Sequence, residues 1–432
     1  MSLIYIINFT YKRRLFTGKR EIIYDAYKMQ INLAVISRLG YNIWAVFRKP
    51  QNACEEIDAK MNNQMNNSYI EVNMQTLLSN AETIIDSLGG KTQLIPVLKD
   101  DAYGLGLVPV ARQLCTLGAI KTIAVSHVSE GLALRAAGID RDILVMASAL
   151  PFQLESAVEA GLTVACGRLG LVSELSEAAK ALGKKAKVHI KIDTGLHRIG
   201  LEPEELDSFI EELSACMEHV SVDGAFSHFS DSSNAELSRS ERDIFCASVS
   251  KLEAAGSAIP MKHMASSATS ESSPEYNMDA VRIGRRLYMD NPTAPLGNIT
   301  ELASWRSYIT NIKARKAGDS IGYGGGVKLT EDSLIATVGI GYGDGLNQEL
   351  VKIKAPLLVN GMTAHYTACC MDQCMIDVSG IDCKVGDEVT FFGFDGKGGY
   401  ISSQTVAAMV NEDEGCGLTS ALSTRVARIY KY

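Results

Sequence analysis

The stretch LIPVLKDDAYGLG, residues 94–106, decides how the rest of the chain is read. Leu94 to Leu98 form a short apolar run bounded by turn residues, the pattern of a strand buried on both faces. Lys99 ends it, ahead of two aspartates, a tyrosine and two glycines. A lysine ending a buried strand is readily desolvated and then serves as a nucleophile or Schiff-base former. The alternative is a lysine that snorkels its ammonium out of the strand end into water. The stretch by itself allows both.

The surrounding pattern favours the first. From Tyr69 onward short β-rich apolar runs alternate with helical segments, which predicts βα units and a parallel sheet. Eight strands are expected, over 94–99, 122–127, 143–147, 162–166, 187–193, 221–228, 261–266 and 280–284, with helices over 108–117, 130–137, 154–160 and 173–182 among them. Eight such units predict an α/β fold, a (β/α)8 TIM barrel. Past about residue 300, strand-like runs at 307–312, 334–341, 355–359, 375–378 and 389–392 are joined by short turns. They predict a mostly antiparallel β-domain. The expected division is an extension with linker over 1–66, the barrel over 67–300 and the β-domain over 301–432.

Chemistry-bearing residues gather at the expected strand ends. Lys99 ends the first strand and His127 the second; Lys191, Asp193 and Arg198 follow the fifth; His228 ends the sixth. His263, Ser266 and Ser267 close the seventh, and Arg282 and Gly284 the eighth. Barrel active sites lie on this C-terminal face, often with a phosphate site after strands seven and eight. Each residue alone also reads as a core histidine, a surface arginine or a loop serine. Together on one face they suit Schiff-base chemistry with a phosphate-bearing cofactor, pyridoxal 5'-phosphate, which needs a lysine, a phosphate pocket, a ring neighbour and a partner for the pyridine nitrogen. An arginine as that partner keeps the nitrogen unprotonated and the electron sink weak, which suits proton exchange at Cα rather than transamination.

Net charge is −8, which argues against nucleic-acid and membrane-surface roles. No apolar run reaches the ~20 residues of a membrane span, and no metal-ligand spacing stands out around CCMDQC, residues 369–374. The scattered cysteines read as free thiols of a cytoplasmic protein. Residues 1–50 carry nine Lys/Arg against two Asp/Glu together with many aromatics. They read as a packing extension or an upstream translated region, or else as a basic arm.

The motifs resemble, in family order, those of the alanine racemase family of fold-type III pyridoxal phosphate enzymes. They are VLKDDAYGLG, KIDTGLHRIG (191–200), SHF (227–229), HMASSA (263–268), VRIGRRLY (281–288), GYG around Tyr323, GYGDG (341–345), CMDQCMIDV (370–378) and RVARIY (425–430). The resemblance implies a head-to-tail homodimer acting on a small amino acid, with the cofactor held covalently by Lys99. It implies that Tyr103, Ser267, Gly284 and Arg285 hold the phosphate, that His228 lies beside the ring and Arg282 on the pyridine nitrogen, and that Arg198 meets the phenolic oxygen and the substrate carboxylate. Tyr323, as the second base, and Met371, through its backbone N–H, would come from the partner. Tyr342 and Asp372 would line the entrance. The residue matching Lys191 is carbamylated in some members, and 69–73 would belong with the β-domain. Lys99 and Tyr323 would then exchange the Cα proton from opposite faces.

Three positions depart from the family pattern: Ser266 stands for an asparagine, Ala368 for an arginine and Cys416 for a tyrosine of the pocket. They leave room for a broader amino-acid racemase or a degenerate cofactor-binding module. A decarboxylase of this fold type would carry an acid at the place of Arg282. A single-barrel binding protein would lack the β-domain that supplies Tyr323.

Overall fold

The computed structural model describes residues 66–289, 299–410 and 415–432. The basic N-terminal segment, and the readings made of it, lie outside the described residues apart from position 66. The described chain starts with β1 (Ser68–Asn73) and α1 (Met74–Ser87). Asn73 caps this helix by accepting the Thr76 N–H at 3.0 Å. Met74, Leu77, Ala81 and Ile84 recur at helical spacing and are buried, so one stripe of α1 packs on the core. Asn80 lies on the same face, and its amide is satisfied by Leu287 O at 3.0 Å and Thr300 O at 2.8 Å.

Eight barrel strands follow: β2 (Gln93–Pro96), β3 (Thr122–Val125), β4 (Asp142–Val145), β5 (Thr163–Cys166), β6 (Ala186–Lys191), β7 (Val220–Phe226), β8 (Lys262–His263) and β9 (Ala280–Ile283). Strands β3 to β8 lie side by side in sequence order, and β2 pairs with β9, all in parallel. Parallel bridges Val97–Ala124 and Ser266–Arg282 join the two sheets, so the ring of eight closes. Ile95, Val97, Ala124, Leu144 and Ala280 form a cluster apart from the main core. Small and branched residues of this kind fill the interior of a barrel. The helices between strands include α2 (Leu107–Leu114), α3 (Val128–Ala136), α4 (Leu154–Glu159), α5 (Leu171–Leu182), α6 (Leu206–Cys216) and α7 (Ala235–Ala254), then the short α8 (Ser267–Ser272) and α9 (Arg285–Tyr288).

The first strand stops earlier than expected. β2 ends at Pro96, and Lys99 opens a separate turn rather than ending the strand. Asp100, Asp101, Ala102 and Tyr103 all have φ between 54° and 57°, so the chain makes a left-handed turn that no period-2 pattern announces. Such backbone costs roughly 1–2 kcal/mol for each non-glycine residue.

The β-domain comprises β10 (Ala303–Arg315), β11 (Ser320–Ile321), β12 (Val327–Lys328), β13 (Ser333–Val338), β14 (Pro356–Val359), β15 (Met362–Cys369), β16 (Cys374–Asp377), β17 (Glu388–Phe394), β18 (Tyr400–Ile401) and β19 (Ala427–Lys431). β10, β13, β16, β15, β14 and β17 are neighbours in that order, and β17 returns to β10, which closes a second, antiparallel barrel. A register shift between Ile309 and Asn311 bends the long β10 on its way from β17 to β13. Trp305 is buried against Phe391 and Phe392 inside it. β1 pairs antiparallel with β10 and parallel with β19, so the first described strand belongs to the sheet formed by the last. β15 and β19 were not among the expected strands. β15 begins with exposed Met362 and Thr363, and its burial does not alternate cleanly. Among the described residues no helix is long and apolar enough to cross a membrane.

Candidate active site

A cavity of about 540 Å³ opens on the C-terminal face of the barrel. Lys99, Tyr103, Arg198, His228, Ser267, Arg282, Gly284 and Arg285 all line it, together with Lys191. They come from segments far apart in sequence and meet because parallel strands deliver their C-terminal ends to one mouth. His127 does not line the cavity; it precedes α3 with its side chain exposed. Lys99 is exposed toward the open space, with Nζ 5.6 Å from the centre of the Tyr103 ring. The expected desolvation of this lysine is therefore not supplied by the chain's own atoms.

Ser267 begins α8 and Gly284 precedes α9. A Cβ at Gly284 would collide with the Tyr103 hydroxyl, so glycine is what lets that hydroxyl approach the backbone. Asp193 stands behind the cavity. Its carboxylate accepts N–H bonds from Gly195 and His197 at 3.0 Å each and from Arg198 at 3.2 Å, and so shapes the loop that aims Arg198. Burial would raise this carboxyl, but those N–H groups and Lys191 hold it below its usual range.

Arg282 is buried, and among the described residues it pairs with imidazoles and carbonyls rather than with a carboxylate. Nη1 donates to His263 Nδ1 at 2.7 Å, and Nη2 donates to His228 Nδ1 at 3.0 Å and to the carbonyls of Ser227 and Met264 at 2.8 Å each. A guanidinium only donates, so both imidazoles accept at Nδ1. His263 then carries its proton on Nε2 and donates to His189 Nδ1, 3.0 Å away. Burial, followed by the Arg282 charge, pushes His228 down to about 3 and His189 to about 4, and His263 well below its usual value. All three rings are neutral at physiological pH. Burial lowers Arg282 itself to about 9, which leaves it charged there.

His189 was missed by the sequence reading. It shares one strand face with Lys191 and Asp193, at i, i+2 and i+4, which was the available signal. A register shift at Val188–His189 and the glycine at 224 make room for it, since a Cβ there would lie 2.9 Å from the His189 ring.

The neutral rings make stability pH-dependent. Between pH ~6.5 and ~4 the unfolded chain binds protons that the folded chain refuses, so stability falls as pH drops, by up to ~1.4 kcal/mol per pH unit for each ring. Lys191, pushed down to about 7 by burial and then by Arg282, acts in the same sense at higher pH: stability rises between its folded value and ~10.5. Thermal melts from pH 8 to pH 5 are expected to show a steady loss of Tm. A flat profile between pH 7 and pH 5 would overturn the neutral assignment of the rings.

The remaining expected site residues lie on the β-domain, away from this chain's own cavity. Tyr323 sits on the turn between β11 and β12 and is 85% exposed. Tyr342, Met371 and Asp372 meet at another point. Tyr342 N donates to Cys370 O at 3.1 Å and Gly343 N to Met371 O at 2.9 Å. Arg425 spans Asp372 at 2.6 Å and buried Asp344 at 3.0 Å. Ala368 packs with Ile321 and Ile335. Half-buried Cys416 opens the short helix whose Thr419 carbonyl rests against Gly104.

A closed parallel barrel with an exposed lysine at its mouth, an arginine held by neutral imidazoles behind it, and an antiparallel β-barrel attached is the layout of a two-domain lysine-centred barrel enzyme. The model of the alanine racemase N-terminal domain matches residues 72–292, and that of the alanine racemase C-terminal domain matches residues 302–430. The chain belongs to the alanine racemase family, a family of pyridoxal phosphate-dependent enzymes. It is 36% identical over 355 residues to alanine racemase 1 of Oceanobacillus iheyensis, covering 79% of this chain and 92% of the relative. It is 35% identical over 374 residues to alanine racemase 2 of Caldanaerobacter subterraneus, covering 84% and 94%. The solved alanine racemase of Clostridium difficile 630 superposes with a TM-score of 0.78 at 31% identity, over 84% of this chain and 96% of that one. The alanine racemase of Bacillus anthracis with bound L-Ala-P gives 0.78 at 28% identity, over 85% and 95%.

Proposed function

We propose that the protein is a pyridoxal phosphate-dependent racemase that interconverts L- and D-alanine by moving the Cα proton between two bases. The observation that carries this reading is Arg282. Its Nη groups are committed to protein acceptors, while Nε has no partner among the described residues and the side chain lines the cavity. An N–H donor charged at physiological pH is thus offered to a ring nitrogen, where an acid would have protonated it.

The other donors fit the same cofactor. Ser267, the Gly284–Arg285 backbone and the Tyr103 hydroxyl would hold its phosphate, Lys99 its aldehyde carbon, and His228 one face of its ring. Arg198 would meet the phenolic oxygen and the substrate carboxylate. Bound there, pyridoxal phosphate supplies an electron-withdrawing ring that makes the Cα proton of an attached amino acid acidic. Lys99 would then take or return that proton on one face and Tyr323 on the other.

That geometry calls for a second copy of this chain. Tyr323 is 85% exposed, an unsuitable setting for a base that must exclude water. Leu150 and Phe152 also stand exposed, at 50% and 79%, on the loop after β4 at the cavity end of the barrel. A head-to-tail homodimer would cover these apolar residues and bring Tyr323, Met371, Tyr342 and Asp372 to the partner's cavity.

The test is direct. Purified protein should be yellow, and L-alanine, D-alanine, L-serine and L-lysine should be offered separately while inversion is followed. Inversion of alanine alone supports the reading. Inversion of serine or lysine as well would follow from the Cys416 and Ala368 departures and would mark a broader racemase. No inversion of any amino acid sinks the enzyme reading.

Lys191 carries a second expectation. Its amine is buried, bonds among the described residues to Ile192 O at 2.8 Å, and is lowered to about 7 by burial and by Arg282. Such an amine adds to carbon dioxide, releasing one proton and leaving a carbamate. The new anion would face Arg282 and Arg198 instead of repelling them. Protein equilibrated with 13C-bicarbonate is expected to show a carbamate carbon signal that Lys191→Gln lacks; no such signal removes this modification.

A further inference from the structure

Four consecutive non-glycine residues in left-handed backbone are strained, and the turn after Lys99 offsets that strain with its own bonds, Ala102 N to Leu98 O at 3.0 Å and Gly104 N to Asp100 O at 2.8 Å, and with braces from outside. On its near side, Leu98 N donates to Ala124 O at 2.7 Å. On its far side, Arg428 Nε donates to Gly104 O at 3.0 Å, and Asp101 Oδ1 accepts Leu107 N at 2.7 Å. The peptide that directly follows Lys99 is tied to a segment outside the turn: Asp100 N donates to Glu130 Oε1 at 2.6 Å. The other oxygen of the same carboxylate accepts Ser126 N at 2.8 Å and His127 N at 2.9 Å.

The bonds from residues 126 and 127 are what any acidic side chain in the first turn of a helix provides at an N-terminus. The bond from Asp100 is not. Its donor belongs to a different βα unit, 30 residues earlier. It lets one carboxylate tie the lysine turn to the end of the next barrel strand.

We infer that Glu130 is a positioning residue for Lys99, its carboxylate locking the Lys99–Asp100 peptide to the loop after β3 so that Nζ is presented to the cavity. The inference rests on the reading of Lys99 as the reactive lysine. With the lock gone, the turn is free to relax toward right-handed backbone and Lys99 loses its aim. Misplacement of a reacting group by about 1 Å costs on the order of 10²-fold in rate.

Three measurements on the full-length protein test it. Amide hydrogen exchange of the peptide spanning 99–104 is expected to be at least ~10-fold faster in Glu130→Ala than in wild type, with the overall melt lowered only modestly by loss of the α3 cap. In the racemase assay, kcat is expected to fall ~10–100-fold with KM moved much less, and Glu130→Gln, which keeps one acceptor oxygen, should recover part of the loss. Covalent capture of added pyridoxal phosphate at position 99, read after borohydride fixing, should slow in parallel. Wild-type exchange in Glu130→Ala overturns the brace, and wild-type capture and kcat overturn its role in aiming Lys99. If Glu130→Ala does not fold, Glu130→Gln carries all three measurements. Failure of wild type itself to capture the cofactor sinks the reading of Lys99, and hydrogen exchange still decides the brace.

Discussion

Replacing Lys99 by alanine is expected to reduce racemisation at least ~10⁴-fold, because one side chain is asked to fill two roles. It would hold the cofactor between turnovers, and it would serve as the base on one face of Cα. Loss of the base alone is worth ~10²–10⁴ in rate. The fold should be untouched. Lys99 is exposed, and its backbone is anchored by neighbours rather than by its own side chain, through Leu98 N to Ala124 O and Asp100 N to Glu130. The yellow absorption should change, since the covalent link is gone, while the melting curve stays put. A Lys99→Ala protein within tenfold of wild-type racemisation would remove the central assignment.

Changing Tyr323 to phenylalanine is expected to stop net inversion by ~10²–10⁴-fold while cofactor binding survives. L- and D-alanine have equal free energy, so kcat/KM must fall by the same factor in both directions. The face served by Lys99 should still exchange its proton. One enantiomer is therefore expected to lose deuterium from Cα to water at near wild-type rate without changing hand. Equal loss of exchange from both enantiomers would argue that Tyr323 supports the fold of the site rather than one face of the chemistry.

The same two variants test where Tyr323 acts. In a head-to-tail dimer, a mixed pair of Lys99→Ala and Tyr323→Phe chains rebuilds one intact site from the two undamaged residues. After full subunit exchange about half the dimers are mixed, so about one quarter of wild-type activity should return. No recovery on mixing would place Tyr323 and Lys99 in the same chain's site.

Much of the fold was legible because its signals are local. All eight barrel strands, from 94–99 to 280–284, read as short apolar runs because parallel strands are covered on both faces. The cavity residues were legible by position, since a barrel delivers every strand's C-terminal end to one place. The turn after Lys99 was not, because four left-handed residues of ordinary type carry no glycine signature. β15 was missed because its burial does not alternate, and β19 because its partner, β1, lies more than 350 residues away. His189 and Glu130 escaped notice for a related reason: each acts through another residue, and nothing in its own neighbourhood says which.

The sequence by itself determined the class of fold, the order of the motifs and the family to which the chain belongs. The fold class follows from local periodicity and residue types at strand ends, and the family from the resemblance of the ordered motifs. Only the tertiary structure decided that Arg282 is held by neutral imidazoles and carbonyls with Nε to spare. It also decided that Lys191 sits buried beside that charge, that the turn bearing Lys99 is left-handed and tied to Glu130, and that Tyr323 stands out in solvent, away from its own chain's cavity. Charge state and aim depend on distance and burial, which are set by segments far apart in sequence and are written in no one of them.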